Sequence, residues 1–205
     1  MSNSSSSCVI HQESQGSSAW HGHRKGRLTA SLFGAAIGHS PFTTPAQVRD
    51  IMSGTYKTPE NAAMLYGTKM EPEARRWYER TRGVVVDQVG FAVPSWDQRI
   101  GGSPDGLVGE NGIIEIKCPV AMYKPLIDQA KEKNPGHAHI WDSHYDQMCG
   151  CLAILDRKWC DYIVYTKEQV FVQRIKFDKD YWDNVLYSGI CKFLDERCEN
   201  KKEGQ

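Results

Sequence analysis

The sequence predicts an α/β domain on three observations. Apolar residues recur at helical spacing in several segments, such as Met70, Ala74, Trp77 and Tyr78. Between those segments lie short β-branched or alternating runs such as Val84 to Val93 and Trp159 to Tyr165. The 205 residues are 40% hydrophobic, which suits one domain with a substantial core rather than two. The expected organisation is a flexible arm over 1–18, a single domain over 19–198 and a charged tail over 199–205.

Taken in order, Met1 to Ser18 is Ser-rich and has few core-forming residues, the composition of a mobile arm. Trp20 to Ser31, WHGHRKGRLTAS, ends where a helix starts, with Thr29 as its cap. Helix N-termini and hydroxyls bind anions, and Arg offers phosphate a planar fork. The stretch therefore reads as a phosphate pocket or as a Trp anchor followed by a solvated basic turn. A short helix is expected near Thr44 to Met52. Thr58-Pro59-Glu60 then opens a longer helix, with Thr as cap and Pro in the first turn, running to about Arg82. Val84 to Val93 reads as a strand leading to a hairpin, with Trp96, Gln98 and Arg99 at its turn. Gly101 and Gly102 permit a close backbone approach, to a neighbouring strand or to a ligand.

Beyond Pro119 the sequence predicts a helix over Ala121 to Lys131 and a polar loop over Glu132 to Gly136. His137 and His139 are of a metal-ligating type but have no Cys or His partner at zinc-like spacing, so they read as surface or structural histidines, and Lys131 and Lys133 in the loop could instead touch phosphate. Asp142 is read as the cap of a helix with Tyr145, Met148, Cys149 and Leu152 on its apolar face. Trp159 to Tyr165 and Val170 to Ile175 are expected as an antiparallel pair around Lys167-Glu168. Asp178 to Arg197 is expected as a closing helix.

The richest chemistry lies in Gly101 to Pro119, GGSPDGLVGENGIIEIKCP. Strand alternation puts Glu115 and Lys117 on one face, with Ile114 and Ile116 on the other. The turn Ser103-Pro104-Asp105-Gly106 aims Asp105 at the same place. Two carboxylates and a lysine converging on a sheet edge make a site for a hard cation such as Mg²⁺ or Mn²⁺, with a base beside it. A surface ion pair on a hairpin is the plainer reading. It fits less well, because Glu115 and Lys117 interrupt an apolar strand where an unpaired charge is costly.

Ser-Pro-Asp-Gly followed by Glu-Ile-Lys-Cys-Pro resembles the metal-binding core of the PD-(D/E)xK nucleases. In detail it resembles the phage lambda exonuclease (YqaJ-type) family of viral recombination exonucleases. That resemblance implies a restriction-endonuclease-like mixed β-sheet flanked by α-helices. It also implies Mg²⁺-dependent 5′ to 3′ digestion of one strand of duplex DNA, a ring-shaped homotrimer and a single-strand annealing protein as partner. Asp105 and Glu115 would hold two Mg²⁺ ions, for which Mn²⁺ can substitute, and the backbone carbonyl of Ile116 would assist. Lys117 would activate or orient water.

Three further segments match the family's pattern. Tyr66 to Ala74 resembles its Gly-x-x-x-Glu-x-x-Ala helix, which gives Glu71 a place at the metals and Glu73 a lesser claim. Trp20 to Ser31 resembles its N-terminal motif, putting Arg24 and Ser31, with Ser103, at the 5′-phosphate. His144 to Met148 resembles its Tyr-x-Gln helix, with Gln147 positioning the lysine and water. The sequence departs from the pattern at Cys149, where relatives often carry a second Gln.

Composition bounds the remaining choices. Lys+Arg and Asp+Glu are both 25, so net charge neither supports nor excludes a nucleic-acid partner. Seven cysteines in no CxxC pair read as reduced thiols of an intracellular protein, and no run approaches the roughly 20 apolar residues of a membrane span. The alternatives are a RecB-type nuclease with an iron–sulfur cluster, an endonuclease of the same superfamily, and a DNA-end-binding subunit without catalysis.

Overall fold

The computed structural model describes residues 8–57, 59–122 and 140–202, with side chains through residue 196. Most of the helix expected after Pro119 lies outside the described residues, as do Thr58, Lys131, Lys133, His137 and His139.

The strand-like runs of the middle of the chain assemble into a four-stranded sheet. Strand β5 (Gly106–Val108) turns through Gly109, at φ +54, into β6 (Gly112–Lys117), and the two pair antiparallel. Strand β7 (Trp159–Tyr165) runs parallel to β6, and β8 (Val170–Lys176) returns antiparallel to β7. A parallel pair needs a crossover. Helix α5 (Asp142–Leu155), lying between β6 and β7 in the chain, belongs to that connection.

Two small strand pairs complete the β structure. Strand β1 (Cys8–His11) pairs antiparallel with β3 (Phe91–Pro94), and β2 (Leu28–Thr29) pairs parallel with β4 (Ile100–Gly101). The N-terminal helical segments are α1 (Ser18–Arg24), a 3-10 turn (Ala30–Leu32), α2 (Phe33–Ala36) and α3 (Pro45–Ser53). Then comes α4 (Ala62–Arg82). The C-terminal helix begins as α6 (Lys179–Tyr181), widens to a π-helical stretch (Trp182–Tyr187) and ends as α7 (Ser188–Lys202).

Strand alternation divides the core in two. Ile114, Ile116 and Ile163 join Met70, Ala74 and Tyr78 of α4 on one face. Ile113, Tyr162 and Val164 join Met148 and Leu152 of α5 on the other, together with Phe33, Trp182 and Leu186. The result is the mixed sheet flanked by helices that the resemblance implies.

A buried polar cluster ties α4 to the sheet. Asp161, 2% exposed on β7, accepts from Tyr78 Oη at 2.6 Å and from Arg174 Nε and a guanidinium nitrogen at 2.7 and 2.8 Å. Arg174 is its cross-strand partner and stacks over Trp159 at 3.6 Å. Asp161→Ala would leave the Tyr78 hydroxyl buried without this acceptor, at a cost of about 1–3 kcal/mol. Urea unfolding of the single variant should show that loss, and adding Tyr78→Phe should recover part of it.

Several local expectations are corrected. Part of the supposed arm is β1, because Gly90 lets the chain approach β3 closely: a Cβ there would fall 1.7 Å from the His11 carbonyl oxygen. Val84 to Val93 is mostly not strand. Val86 and Val89 are buried individually and Asp87 bridges Leu107, whereas ladder pairing begins at Phe91. Helix α4 starts at Ala62 rather than near Thr58, because the Asn61 side chain accepts from Met64 N at 3.0 Å and caps it. Trp141, not Asp142, is the N-cap of α5, and Asp142 lies in its first turn. Thr29 does precede a helical turn, but without a side-chain cap bond; its hydroxyl lies 3.1 Å from Ser31 Oγ. The close approach at Gly101 is to a neighbouring strand, since a Cβ would lie 2.3 Å from the Phe91 ring.

Candidate active site

The site is built on β6. Asp105 precedes β5, its N–H donates to the Ile114 carbonyl at 3.1 Å, and its Oδ2 accepts from Ile116 N at 2.6 Å. That carboxylate is thereby pinned against β6. Glu115 and Lys117 share the face covered by α5. Lys117 Nζ donates to Glu115 Oε1 at 2.7 Å and to Gln147 Oε1 at 3.1 Å, while Gln147 Nε2 donates to Glu115 Oε1 at 2.7 Å. Carboxylate, ammonium and amide close a triangle. Cys149, two residues on from Gln147, is buried with its thiol 4.0 Å from the Asp178 carbonyl oxygen. The departure at that position thus belongs to the core and not to this triangle.

From the other face, α4 contributes Glu71, whose Oε1 accepts from Arg75 at 2.6 Å one turn away. Glu73 takes a different direction and accepts from Tyr165 Oη at 2.8 Å. Geometry therefore separates the two glutamates. Glu71 lines the same open cleft of about 850 Å³ as Asp105, Glu115, Ile116, Lys117 and Gln147, and Glu73 does not.

The electrostatics of the acids are unusual. Burial raises the Asp105 pKa well above the ordinary carboxylate value, and the neighbouring charges of Glu115 and Glu71 raise it further. Burial also raises that of Glu115, against the pull of Lys117 and the Gln147 hydrogen bond. Negative charge is thus concentrated in a poorly solvated place where one ammonium and the Arg75 contact offset it incompletely. A hard divalent cation fits such a set of oxygen ligands, with water completing the shell, and Ile116 lines the same cleft.

Arg24, Ser31 and Ser103 line the same cleft. The Arg24 guanidinium stacks over Trp20 at 4.1 Å and stands 5.8 Å from the centroid of Phe91. Burial pulls its pKa down to about 10, which still leaves it cationic at neutral pH. Among the described residues it makes no ion pair, and it has one long hydrogen bond, 3.5 Å, to Thr29 Oγ1. Trp20 Nε1 donates to Ser103 Oγ at 3.1 Å, joining the two serines' neighbourhoods through α1. Among the described residues no carboxylate pairs with this cation and hydroxyls lie near it, surroundings that suit an anion.

Asp105, Glu115, Ile116, Lys117, Glu71, Gln147, Arg24, Ser31 and Ser103 all line this cleft, and Glu73 does not. Sequence reasoning missed three contributors. Arg75 was detectable as the i+4 partner of Glu71. Trp20 was visible as an anchor but not as a platform for Arg24. Gln15, whose Nε2 donates to the Pro104 carbonyl at 3.0 Å, gave no signal within a Ser-rich segment.

A family model described as YqaJ-like viral recombinase domain matches residues 19–156. The structure is similar to an alkaline exonuclease, LHK-Exo, from Laribacter hongkongensis, at 27% identity over 92% of this chain and 98% of that one, with a TM-score of 0.69. Against the same exonuclease in complex with dAMP, the identity and coverage are the same and the TM-score is 0.73. A phage-related exonuclease from Haemophilus somnus shares the fold at 18% identity, over 85% of this chain and 96% of that one, with a TM-score of 0.65. No curated protein sequence matches the chain significantly.

Proposed function

Since the chain belongs to the YqaJ-like viral recombinase domain family, we propose that it is a divalent-metal-dependent exonuclease. On this reading it digests one strand of linear duplex DNA from its 5′ end. The observation that carries the proposal is the convergence of Asp105, Glu115 and Lys117 in one cleft with Arg24, which makes no ion pair among the described residues. The similar alkaline exonuclease has been solved in complex with dAMP, a nucleoside monophosphate of the kind that such a reaction would release.

Asp105, Glu115 and the Ile116 carbonyl would hold Mg²⁺, with Glu71 beside them; Mn²⁺ suits the same oxygens. Bound there, the metal supplies Lewis-acid polarisation of the phosphate and charge neutralisation for the attacking and leaving oxygens. The chain's own residues do the rest. Lys117, held by Glu115 and Gln147, orients the water whose oxygen forms the new bond to phosphorus. The bond from phosphorus to the 3′-oxygen breaks, and that oxygen takes up a proton. A 5′-mononucleotide leaves, and the remaining strand carries a new 5′-phosphate. Arg24, Ser31 and Ser103 receive a terminal phosphate, so each turnover regenerates the group that the anchor binds.

The resulting 3′ overhangs are substrates for recombination by strand annealing, and a homotrimer and an annealing partner follow from the family resemblance. Digestion of linear duplex against covalently closed circles, with Mg²⁺ and with a chelator, tests the reading. Loss of linear DNA with Mg²⁺ alone supports it; comparable cleavage of circles would assign an endonuclease instead.

Gln147 touches the reacting lysine without holding metal on this account, so it is a positioning residue. Gln147→Ala should lower kcat by about 10- to 100-fold with a smaller change in KM, the range seen when outer-shell partners are removed. Gln147→Glu would place a carboxylate against Glu115 and should not rescue it.

A further inference from the structure

Helix α4 turns one flank to the cleft and another to solvent. Thr68 and Glu71 line the cleft, while Lys69, Arg76 and Arg80 are exposed. Arg76 and Arg80 follow Lys69 by seven and eleven residues, about two and three helical turns, so the three cations form one stripe roughly 16 Å long. The stripe begins beside the cleft, next to Thr68, and leads away from it along the helix.

Pairing within the helix would be the ordinary use of such cations, and the sequence supplies an acid for it: Glu73 lies four residues after Lys69 and three before Arg76. The fold gives the acids of α4 other partners. Glu73 accepts from Tyr165 Oη at 2.8 Å, Glu71 from Arg75 at 2.6 Å and Glu79 from Val86 N at 3.0 Å. Among the described residues, the side chains of Lys69, Arg76 and Arg80 make no ion pair or hydrogen bond. Arg76 and Arg80 also stand four residues apart, where like charges oppose the helix. The helix dipole favours Arg80 in the last turn, but it does not reach Lys69 or Arg76. Local helix energetics therefore leave the row unexplained.

Apolar surface accompanies the cations. Leu65, one turn before Lys69, is 55% exposed, and Pro72 is exposed between Lys69 and Arg76. Cations for phosphates and apolar side chains for base faces are what single-stranded DNA needs when it is held without sequence reading. A duplex keeps its base faces stacked inside and offers only the phosphates.

We propose that Lys69, Arg76 and Arg80 form a track for the phosphate backbone of single-stranded DNA. That the strand is the undigested one, led away from the cleft as its complement is consumed, rests on the nuclease reading. The affinity of the track for a single strand does not.

The test is fluorescence anisotropy of a labelled oligothymidylate without a 5′-phosphate, in chelator, over a series of salt concentrations. A blunt hairpin duplex, also without a terminal phosphate, is the second probe. Each phosphate contact to a single strand contributes about 0.7 to the slope of log affinity against log salt, so K69Q/R76Q/R80Q should make the oligothymidylate slope shallower by roughly two. The hairpin slope should be nearly unchanged. K158Q/K176Q/K192Q, which removes three exposed cations from other elements, should keep both parental slopes. Glutamine is a comparable helix former, so the circular dichroism of the track variant should match the parent. R76Q/R80Q, with a change in slope of about 1.4, serves if the triple variant misfolds. Release of the first nucleotide from phosphorylated blunt duplex should be unchanged in the track variant, while digestion of long duplex should stop sooner. An oligothymidylate that the parent does not bind, an unchanged slope in the track variants, or the same change for the hairpin or for the control variant would overturn the proposal. The expected change in slope, found in a parent that digests no DNA, would remove the nuclease reading and leave the track in place.

Discussion

Asp105→Asn is expected to lower Mg²⁺-dependent digestion by at least about a thousandfold while leaving the metal-free fold as stable as the parent or more so. The first half follows if the carboxylate holds the cation that neutralises the transition state, since several kcal/mol are at stake and each 1.4 is tenfold in rate. The second half follows from the structure. Asp105 is desolvated and lies in the field of Glu115 and Glu71, so its pKa is raised in the fold. A raised carboxylate pKa means that the folded state prefers the protonated form. Stability from this group is therefore present at low pH and is lost as pH rises from the ordinary carboxylate range through the raised value.

Asparagine removes that loss and can still accept from Ile116 N. Chemical unfolding of parent and variant in chelator at pH 5 and pH 8 should show a parent that weakens more with rising pH. A variant that unfolds more readily than the parent at pH 8 would make Asp105 a structural residue. Activity and stability moving in opposite directions is the signature of a functional charge.

Arg24→Ala is expected to abolish most of the preference for 5′-phosphorylated over 5′-hydroxyl ends, with little effect on hydroxyl-ended duplex. A charge-assisted hydrogen bond to phosphate contributes about 1.5–3 kcal/mol, so the preference should fall by roughly 10- to 150-fold. Arg24→Lys should recover part of it, since lysine keeps the charge but loses the fork and the stacking on Trp20. Trp20→Phe should show a milder form of the same defect, because it removes the indole N–H that orients Ser103. The comparison needs initial rates on duplexes differing in the terminal phosphate alone. Equal digestion of both ends by the parent would remove the anchor from the account.

Much of this site was legible in the sequence because its chemistry is carried on a strand and on helices with strong periodicity. Alternation along GIIEIK places Glu115 and Lys117 together whatever the rest of the chain does, and the structure joins them at 2.7 Å. The pairing of Gln147 with Glu115 could not be deduced from spacing, since it depends on how the crossover helix settles on the sheet. Here the family resemblance, rather than pattern, supplied the residue.

The misread segments share a cause. Val84 to Val93 has strand-like side chains, yet α4 ends at Gly83 in a left-handed conformation and Val86 and Val89 find burial one at a time, so no ladder is needed. Cys8 to His11 lies within a Ser-rich stretch with few core-forming residues, and its pairing is a tertiary event enabled by Gly90. Burial by distant elements overrides local propensity in both places.

The central claim is that the cleft hydrolyses the strand whose 5′-phosphate it holds. A linear duplex carrying one label at a 5′-phosphate and a different label at the 3′ end of the same strand tests it most directly. The account predicts that the 5′ label is released first, as a mononucleotide, while the 3′ label stays on a shortening strand and the complementary 3′ overhang accumulates. Release of the 3′ label first, or of internal fragments carrying either label, would contradict it.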